Sequence, residues 1–102
     1  MKKIKKGEKR VPHLRMYEAI LTLETVEEAV RFFSDLCSLT ELRAIEQRFQ
    51  VASMLNEGEI YNTILDKTGA SSATISRVNR SLNYGENGYD IVFERLLRKG
   101  IN

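Results

Sequence analysis

Residues 68–82, TGASSATISRVNRSL, combine small hydroxyl side chains with two arginines in one short segment. Hydroxyl groups can hydrogen-bond phosphate oxygens or base edges, and the N-terminal end of a helix attracts phosphate. An arginine guanidinium can bind guanine edges or the DNA backbone. No Asp or Glu occurs from Gly69 through Gly85, where negative charge would repel a nucleic acid. The segment therefore indicates a helix whose outer face lies against double-stranded DNA.

Helical periodicity separates the inward side of this segment from its outward side. Ile75, Val78 and Leu82 recur at the three- and four-residue spacing of a buried helix face. The residues that remain outside are the predicted DNA-contacting set, namely Ser71, Ser72, Ala73, Ser76, Arg77, Asn79 and Arg80. We expect the first two serines near phosphates, and Asn79 and Arg80 nearest the bases, although Asn79 could instead brace a neighbour. Small residues at the helix start suit a major groove roughly 12 Å wide.

A helix-turn-helix unit over residues 61–82, which we call the reading head, would hold that face in place. A first helix of about seven residues ends at Gly69, and glycine adopts the positive φ of a tight turn at little cost. Ile64 and Leu65 face inward from the first helix, and Ala70 fills the turn. The alternative is a plain helical hairpin within a bundle, since such patterns also occur outside DNA-binding proteins.

Helix signals follow one another along the rest of the chain, and no stretch alternates cleanly with the period of two that a strand requires. Thr25 with Glu28 and Ser38 with Glu41 have the spacing of capping boxes at the starts of two helices. Thr40 is a competing cap for the second of these helices. The sequence therefore predicts an all-α protein with six helices and no sheet.

The chain of 102 residues is predicted to form one domain, residues 13–102, preceded by a flexible basic arm, residues 1–12. Six Lys and Arg side chains crowd the first ten residues against one acid, Glu8. The arm is either a solvated tail or a segment that reaches phosphates, and the two are compatible because a disordered basic tail still gains from counterion release. The apolar stripes of residues 17–55 exceed what so short a chain can bury alone, which predicts a homodimer.

Other classes of function find little support among the residue types. The net charge is +2 and no apolar run approaches the roughly 18 residues of a membrane span, so we expect a cytoplasmic protein without a membrane partner. Cys37 is the single cysteine and His13 the single histidine, and neither suggests a metal site or an enzyme. Tyr84 and Tyr89 are expected to be packing residues rather than a stacking platform for single strands.

Two stretches, QRFQVASMLNEGE and TGASSATISRVNRSLNYG, closely resemble the tryptophan-repressor family, and more narrowly its YerC/YecD group. The resemblance is strongest over residues 38–85 and implies a six-helix Trp-repressor-like fold in which two chains form an intertwined homodimer. It further implies a sequence-specific transcriptional regulator, by expectation a repressor. The two recognition helices of such a dimer would enter successive major grooves of a palindromic operator.

The same resemblance implies a corepressor site. The family holds tryptophan between two arginines that fall here on Arg48 and Arg77, and a serine that touches the ligand falls on Ser81. Val78 stands where the family has a glycine, so an apo-active regulator or one with another ligand fits at least as well as a tryptophan-binding one. The alternative for Arg48 is an ordinary surface ion pair with Glu41, Glu46 or Glu57.

A rival function from another class is a helical protein-interaction or dimerisation module without a specific DNA target. DNA binding predicts an affinity that falls steeply with salt and is lost on Arg80→Ala. An interaction module predicts a protein partner and indifference to changes at Ser72 and Arg80. The acid-free outer face of residues 71–83 favours DNA.

Overall fold

The computed structural model describes residues 10–101 and contains six α-helices. Their bounds are α1 Leu14–Ile20, α2 Val26–Leu36, α3 Leu39–Asn56, α4 Tyr61–Thr68, α5 Ser72–Tyr84 and α6 Gly88–Arg98. No strand occurs within residues 10–101, so the predicted all-α, six-helix architecture is confirmed. Most of the predicted basic arm, residues 1–9, lies outside the described part of the chain. The chain divides into two compact units, Met1–Cys37 and Ser38–Asn102.

The first unit contains α1 and α2, and the start of α2 forms only half of the expected capping box. The Thr25 hydroxyl accepts a hydrogen bond from the Glu28 N–H at 3.1 Å. The Glu28 carboxylate accepts from the Glu24 N–H at 2.8 Å instead of returning to Thr25. Neither helix contains a buried residue, and Leu21 and Val26 are 84% and 75% exposed. The unit therefore leaves large apolar side chains uncovered within one chain.

The second unit opens with α3, whose first turn carries a complete capping box. The Ser38 hydroxyl accepts from the Glu41 N–H at 3.1 Å, and the Glu41 carboxylate accepts from the Ser38 N–H at 2.8 Å. Ser38 is therefore the cap, and Thr40, the competing candidate, lies inside the helix. The hydrogen bonds from the backbone and the hydroxyl of Ser38 lower the pKa of the Glu41 carboxyl, because they stabilise its charged form.

α3 ends in a glycine turn that leads the chain into the reading head. Gly58 has a φ of 85°, and its N–H donates to the Leu55 carbonyl at 3.0 Å. The Glu59 N–H donates to the Met54 carbonyl at 3.0 Å, which completes a Schellman motif. These two bonds satisfy carbonyl groups that the end of a helix otherwise leaves without an N–H partner.

The buried core of the described residues lies in α3, α4, α5 and the turn between the last two helices. Its six members, each at most 4% exposed, are Val51, Ala52, Ile64, Ala70, Ile75 and Val78. The first two belong to α3, which packs against both helices of the reading head. The remaining four were predicted to face inward and are confirmed as buried, while Leu65 and Leu82 pack partly buried beside them. α3 is therefore the support on which the reading head rests.

Candidate nucleic-acid interface

The turn of the reading head is held by short hydrogen bonds around Thr68 and Gly69. Gly69 has a φ of 69°, as expected for the glycine of this turn, and its N–H donates to the Leu65 carbonyl at 3.0 Å. The Thr68 hydroxyl donates to the Ile64 carbonyl at 2.6 Å and accepts from the Ala70 N–H at 3.1 Å. With Ile64 and Ala70 both buried, the turn has a defined geometry that fixes where α5 begins.

α5 begins at a serine cap. The Ser71 hydroxyl accepts from the Thr74 N–H at 3.1 Å and donates its proton to the Thr74 hydroxyl at 3.0 Å. The Ser71 hydroxyl proton is therefore used in a hydrogen bond inside the first turn of α5. The groups of this first turn that remain suited to a phosphate are the backbone N–H groups of Ser72 and Ala73 and the exposed Ser72 hydroxyl.

Six of the seven predicted contact residues lie on an exposed face. They are Ser71, Ser72, Ala73, Ser76, Arg77 and Arg80. The seventh, Asn79, is half-buried, and Asn83 Nδ2 donates to its backbone carbonyl at 2.8 Å and to its side-chain oxygen at 3.3 Å. The geometry of Asn79 therefore corresponds to the bracing alternative rather than to a side chain extended toward bases.

Five of the exposed contact residues on α5 form two adjacent stripes, because residues four apart lie on the same face of a helix. Ser72, Ser76 and Arg80 make one stripe, and Ala73 and Arg77 make the other. Neither arginine forms an ion pair or a side-chain hydrogen bond with a described residue. The one ion pair within residues 10–101 joins Arg98 to Glu94 on α6 at 3.1 Å. Both guanidinium groups on α5 are therefore available to an anionic partner.

α5 is longer than expected and runs two residues beyond Leu82, to Tyr84. It ends at Gly85, where a Cβ atom would clash with the backbone carbonyl of Ser81. Tyr84 is 85% exposed, so its predicted packing role is wrong within this chain. Tyr89 does pack, with its ring stacked on that of Phe93 at a centroid distance of 5.8 Å.

A cavity of about 190 Å³ lies between α3 and α5 and is lined by both arginines of the predicted ligand site. The other lining residues are Ala44, Gln47, Ala73 and Thr74, and no carboxylate is among them. Arg48 forms no ion pair with Glu41, Glu46 or Glu57. Ser81 lies elsewhere, in an apolar depression of about 520 Å³ beside Phe49 and Val92. The structure thus brings Arg48 and Arg77 to one cavity, whereas Ser81 lines another depression.

Gln47 is a residue of this region that the sequence motifs did not indicate. It lines the cavity, and its Nε2 donates to the Thr68 carbonyl at 3.2 Å. Its position was open to prediction, because it follows Ala44 by three residues and precedes the buried Val51 by four on one face of α3. Its partner was not, because the hydrogen bond joins residues 21 positions apart.

Two features are absent from the described residues, a cluster of metal-binding side chains and a membrane-spanning helix. No group of three His, Cys, Asp or Glu side chains within residues 10–101 is placed to hold a metal ion. No helix of that range has the length and apolar character needed to cross a membrane.

Comparison with known proteins agrees with the geometry of the reading head. Residues 13–97 match the Trp repressor protein family. The uncharacterised protein YerC of Bacillus subtilis is 48% identical over 82 residues, which cover 80% of this chain and 79% of YerC.

Two solved structures share the fold. A TrpR-like protein from Eubacterium eligens is 57% identical, with a TM-score of 0.78 over 81% of this chain and 86% of its own. A candidate Trp repressor from Staphylococcus aureus is 46% identical, with a TM-score of 0.77 over 86% of this chain and 85% of its own. The matched family is described as a repressor protein, which is a class of regulator. The chain belongs to the Trp repressor family, as its reading head and its six helices indicate.

Proposed function

We propose that this protein is a sequence-specific DNA-binding transcriptional repressor that acts in the cytoplasm as a homodimer on a palindromic operator. The observation that carries the proposal is the outer face of α5. Hydroxyl groups and two guanidinium groups without ion-pair partners among the described residues are exposed there, and no carboxylate occurs from Gly69 through Gly85. A surface with these groups attracts phosphate and offers donors to base edges.

In the proposed complex, α5 enters the major groove with its N-terminal end leading. The first N–H groups of a helix have no partner inside the helix and favour a phosphate. Ser72 and Ala73 are small enough to bring the helix backbone close to the DNA. Arg80 lies about two turns further along the Ser72 stripe, where its guanidinium can bond a guanine edge or a phosphate.

Large apolar side chains outside the core support the homodimer. No residue of α1, α2 or α6 is buried. Exposed large apolar residues of these helices and of α3 include Leu14, Val26, Val30, Leu36, Leu39, Ile45, Phe49, Ile91 and Val92. Extensive exposed apolar surface marks an interaction site, and two-fold dimers are the commonest soluble assembly. A two-fold dimer presents two copies of α5 to the DNA and therefore selects a palindromic site.

The test is selection from a random duplex pool with sequencing of the bound fraction, followed by anisotropy titrations on the recovered site. Arg80→Ala should weaken specific binding by about 1–3 kcal/mol, roughly five- to 150-fold. Arg43→Ala, which removes an exposed arginine from α3, is the matched control for the loss of one charge. Binding without a motif, with equal effects of the two changes, would instead favour the protein-interaction module. A monomeric mass by light scattering would contradict the proposed homodimer.

A second proposal concerns the cavity between α3 and α5, which we infer holds an anionic small molecule. Arg48 and Arg77 line it without any carboxylate. Val78 is 2% exposed in the core and is not part of the lining, so its branched side chain leaves the cavity open. Tryptophan, which carries a carboxylate, is the first ligand to titrate by calorimetry. If Arg48→Ala and Arg77→Ala both leave operator affinity and ligand response unchanged, the ligand proposal fails.

A further inference from the structure

Gln47 on α3 makes the one side-chain hydrogen bond of the described residues that ties distant parts of the second unit together. Its Nε2 donates to the Thr68 carbonyl at 3.2 Å, across 21 positions of sequence. Every other side-chain hydrogen bond within residues 10–101 joins residues four or fewer positions apart. The contact is partly buried and links the long helix to the last residue of α4.

Thr68 is the residue around which the turn of the reading head is built. Its hydroxyl bonds both the Ile64 carbonyl and the Ala70 N–H, on either side of the turn. Its carbonyl belongs to the last turn of α4, where the helix itself has no N–H group to donate. Gln47 supplies that donor, so a side chain of α3 holds the junction between α4 and α5.

The buried packing between α3 and the reading head is apolar. Val51 and Ala52 belong to the same buried cluster as Ile64 and Ile75, and the hydrophobic effect that drives such burial is non-directional. A hydrogen bond depends on both distance and angle, so it adds a restriction on orientation to that of the packing. We infer that Gln47 is a positioning residue that sets the orientation of the reading head on α3 and thereby its affinity for DNA. The last part of this inference rests on the proposed function.

The decisive variant is Gln47→Met, which removes the donor amide while keeping an unbranched, helix-forming side chain. Gln50→Met is the matched control, because Gln50 is exposed on the same helix. The full chain of each variant would be measured for DNA binding by anisotropy and for amide hydrogen exchange by NMR, with Arg80→Ala as the reference.

We expect Gln47→Met to weaken DNA binding about three- to tenfold, the size of one net hydrogen bond. Exchange should accelerate at the Gly69 and Ala70 N–H groups of the turn, while those of Val51 and Ile75 stay protected. Gln50→Met should change neither quantity.

Unchanged exchange at the turn, or equal effects of Gln47→Met and Gln50→Met, would overturn the inference. Loss of protection that includes Val51 would mean general destabilisation and would also overturn it. If Arg80→Ala weakens DNA binding and Gln47→Met has no effect on it, only this inference fails. If Arg80→Ala has no effect, the proposed function fails, and the exchange rates at Gly69 and Ala70 still decide whether Gln47 holds the turn.

Discussion

Two groups of helices in this chain differ in how much apolar surface they bury. α3, α4, α5 and the turn between the last two contain all six buried residues of the described range. α1, α2 and α6 contain none, although each carries large apolar side chains. The first group has a core that one chain buries by itself. The second group has large apolar side chains that remain exposed to solvent in the single chain. The effect of a substitution on stability should therefore depend on protein concentration in the second group and not in the first.

The largest effect is expected in the core beneath the reading head. Ile64 is fully buried, so Ile64→Ala should lower the free energy of unfolding by about 2–5 kcal/mol through lost burial and a residual cavity. Ile60→Ala, which changes the same residue type at a position 66% exposed, is the matched control. Urea unfolding followed by circular dichroism measures both. Similar losses for the two variants would show that the described core does not dominate stability.

Exposed apolar side chains of α1, α2 and α6 should contribute to stability through the proposed dimer. Val30 on α2 is 59% exposed in the single chain, and Val30→Ser should weaken the proposed dimer by about 1.5–3 kcal/mol if a partner buries that side chain. Sedimentation at a series of concentrations would show the shift toward monomer, and the melting temperature of the variant should become more dependent on concentration. A wild-type association constant for Val30→Ser would place the dimer contact on another face.

The two groups of helices meet where α5 ends and α6 begins. Adding one methyl group there, at Gly85, should lower the stability of the protein. A Cβ at Gly85 would lie 3.2 Å from the Ser81 carbonyl carbon and closer still to its oxygen. Gly85→Ala should therefore destabilise the protein by about 1–3 kcal/mol, the usual cost of overpacking. Gly88→Ala is the control, because nothing lies within 4 Å of a Cβ there and the residue is helical. In thermal unfolding, the melting temperature of Gly85→Ala should be clearly lower than that of Gly88→Ala.

Much of the reading head could be predicted because its determinants are local. The three- and four-residue spacing of Ile75 and Val78 predicts burial, and the left-handed backbone at Gly69 suits a glycine before the second helix. α5 ends two residues after Leu82 because neither Asn83 nor Tyr84 breaks a helix, and the backbone leaves the helical conformation at Gly85, with a φ of −87° and a ψ of −151°.

The rest of the candidate site depends on contacts that spacing does not encode. Outside the site, at the start of α2, the Glu28 carboxylate accepts from the N–H of Glu24 rather than from that of Thr25. Ser81 lies only four residues from Arg77, yet it lines a different depression. The Gln47 hydrogen bond to Thr68 exists only once α3 and α4 have packed together. These features required the three-dimensional arrangement of whole helices.

The smallest predicted effect concerns the capping box that starts α3. The hydrogen bonds from Ser38 lower the pKa of Glu41 from its ordinary value of 4.5, so the folded state binds a proton at this carboxyl less readily than the unfolded state. The stabilisation from Glu41 is therefore fully present above pH 4.5 and is lost as the pH falls through the lowered pKa. The difference in melting temperature between wild type and Glu41→Gln should shrink toward zero in acid. Glu46→Gln is the control, because it removes a carboxylate that forms no hydrogen bond with the described residues. If the melting-temperature difference for Glu46→Gln changes with pH as much as that for Glu41→Gln, the effect comes from the loss of a negative charge and not from the cap.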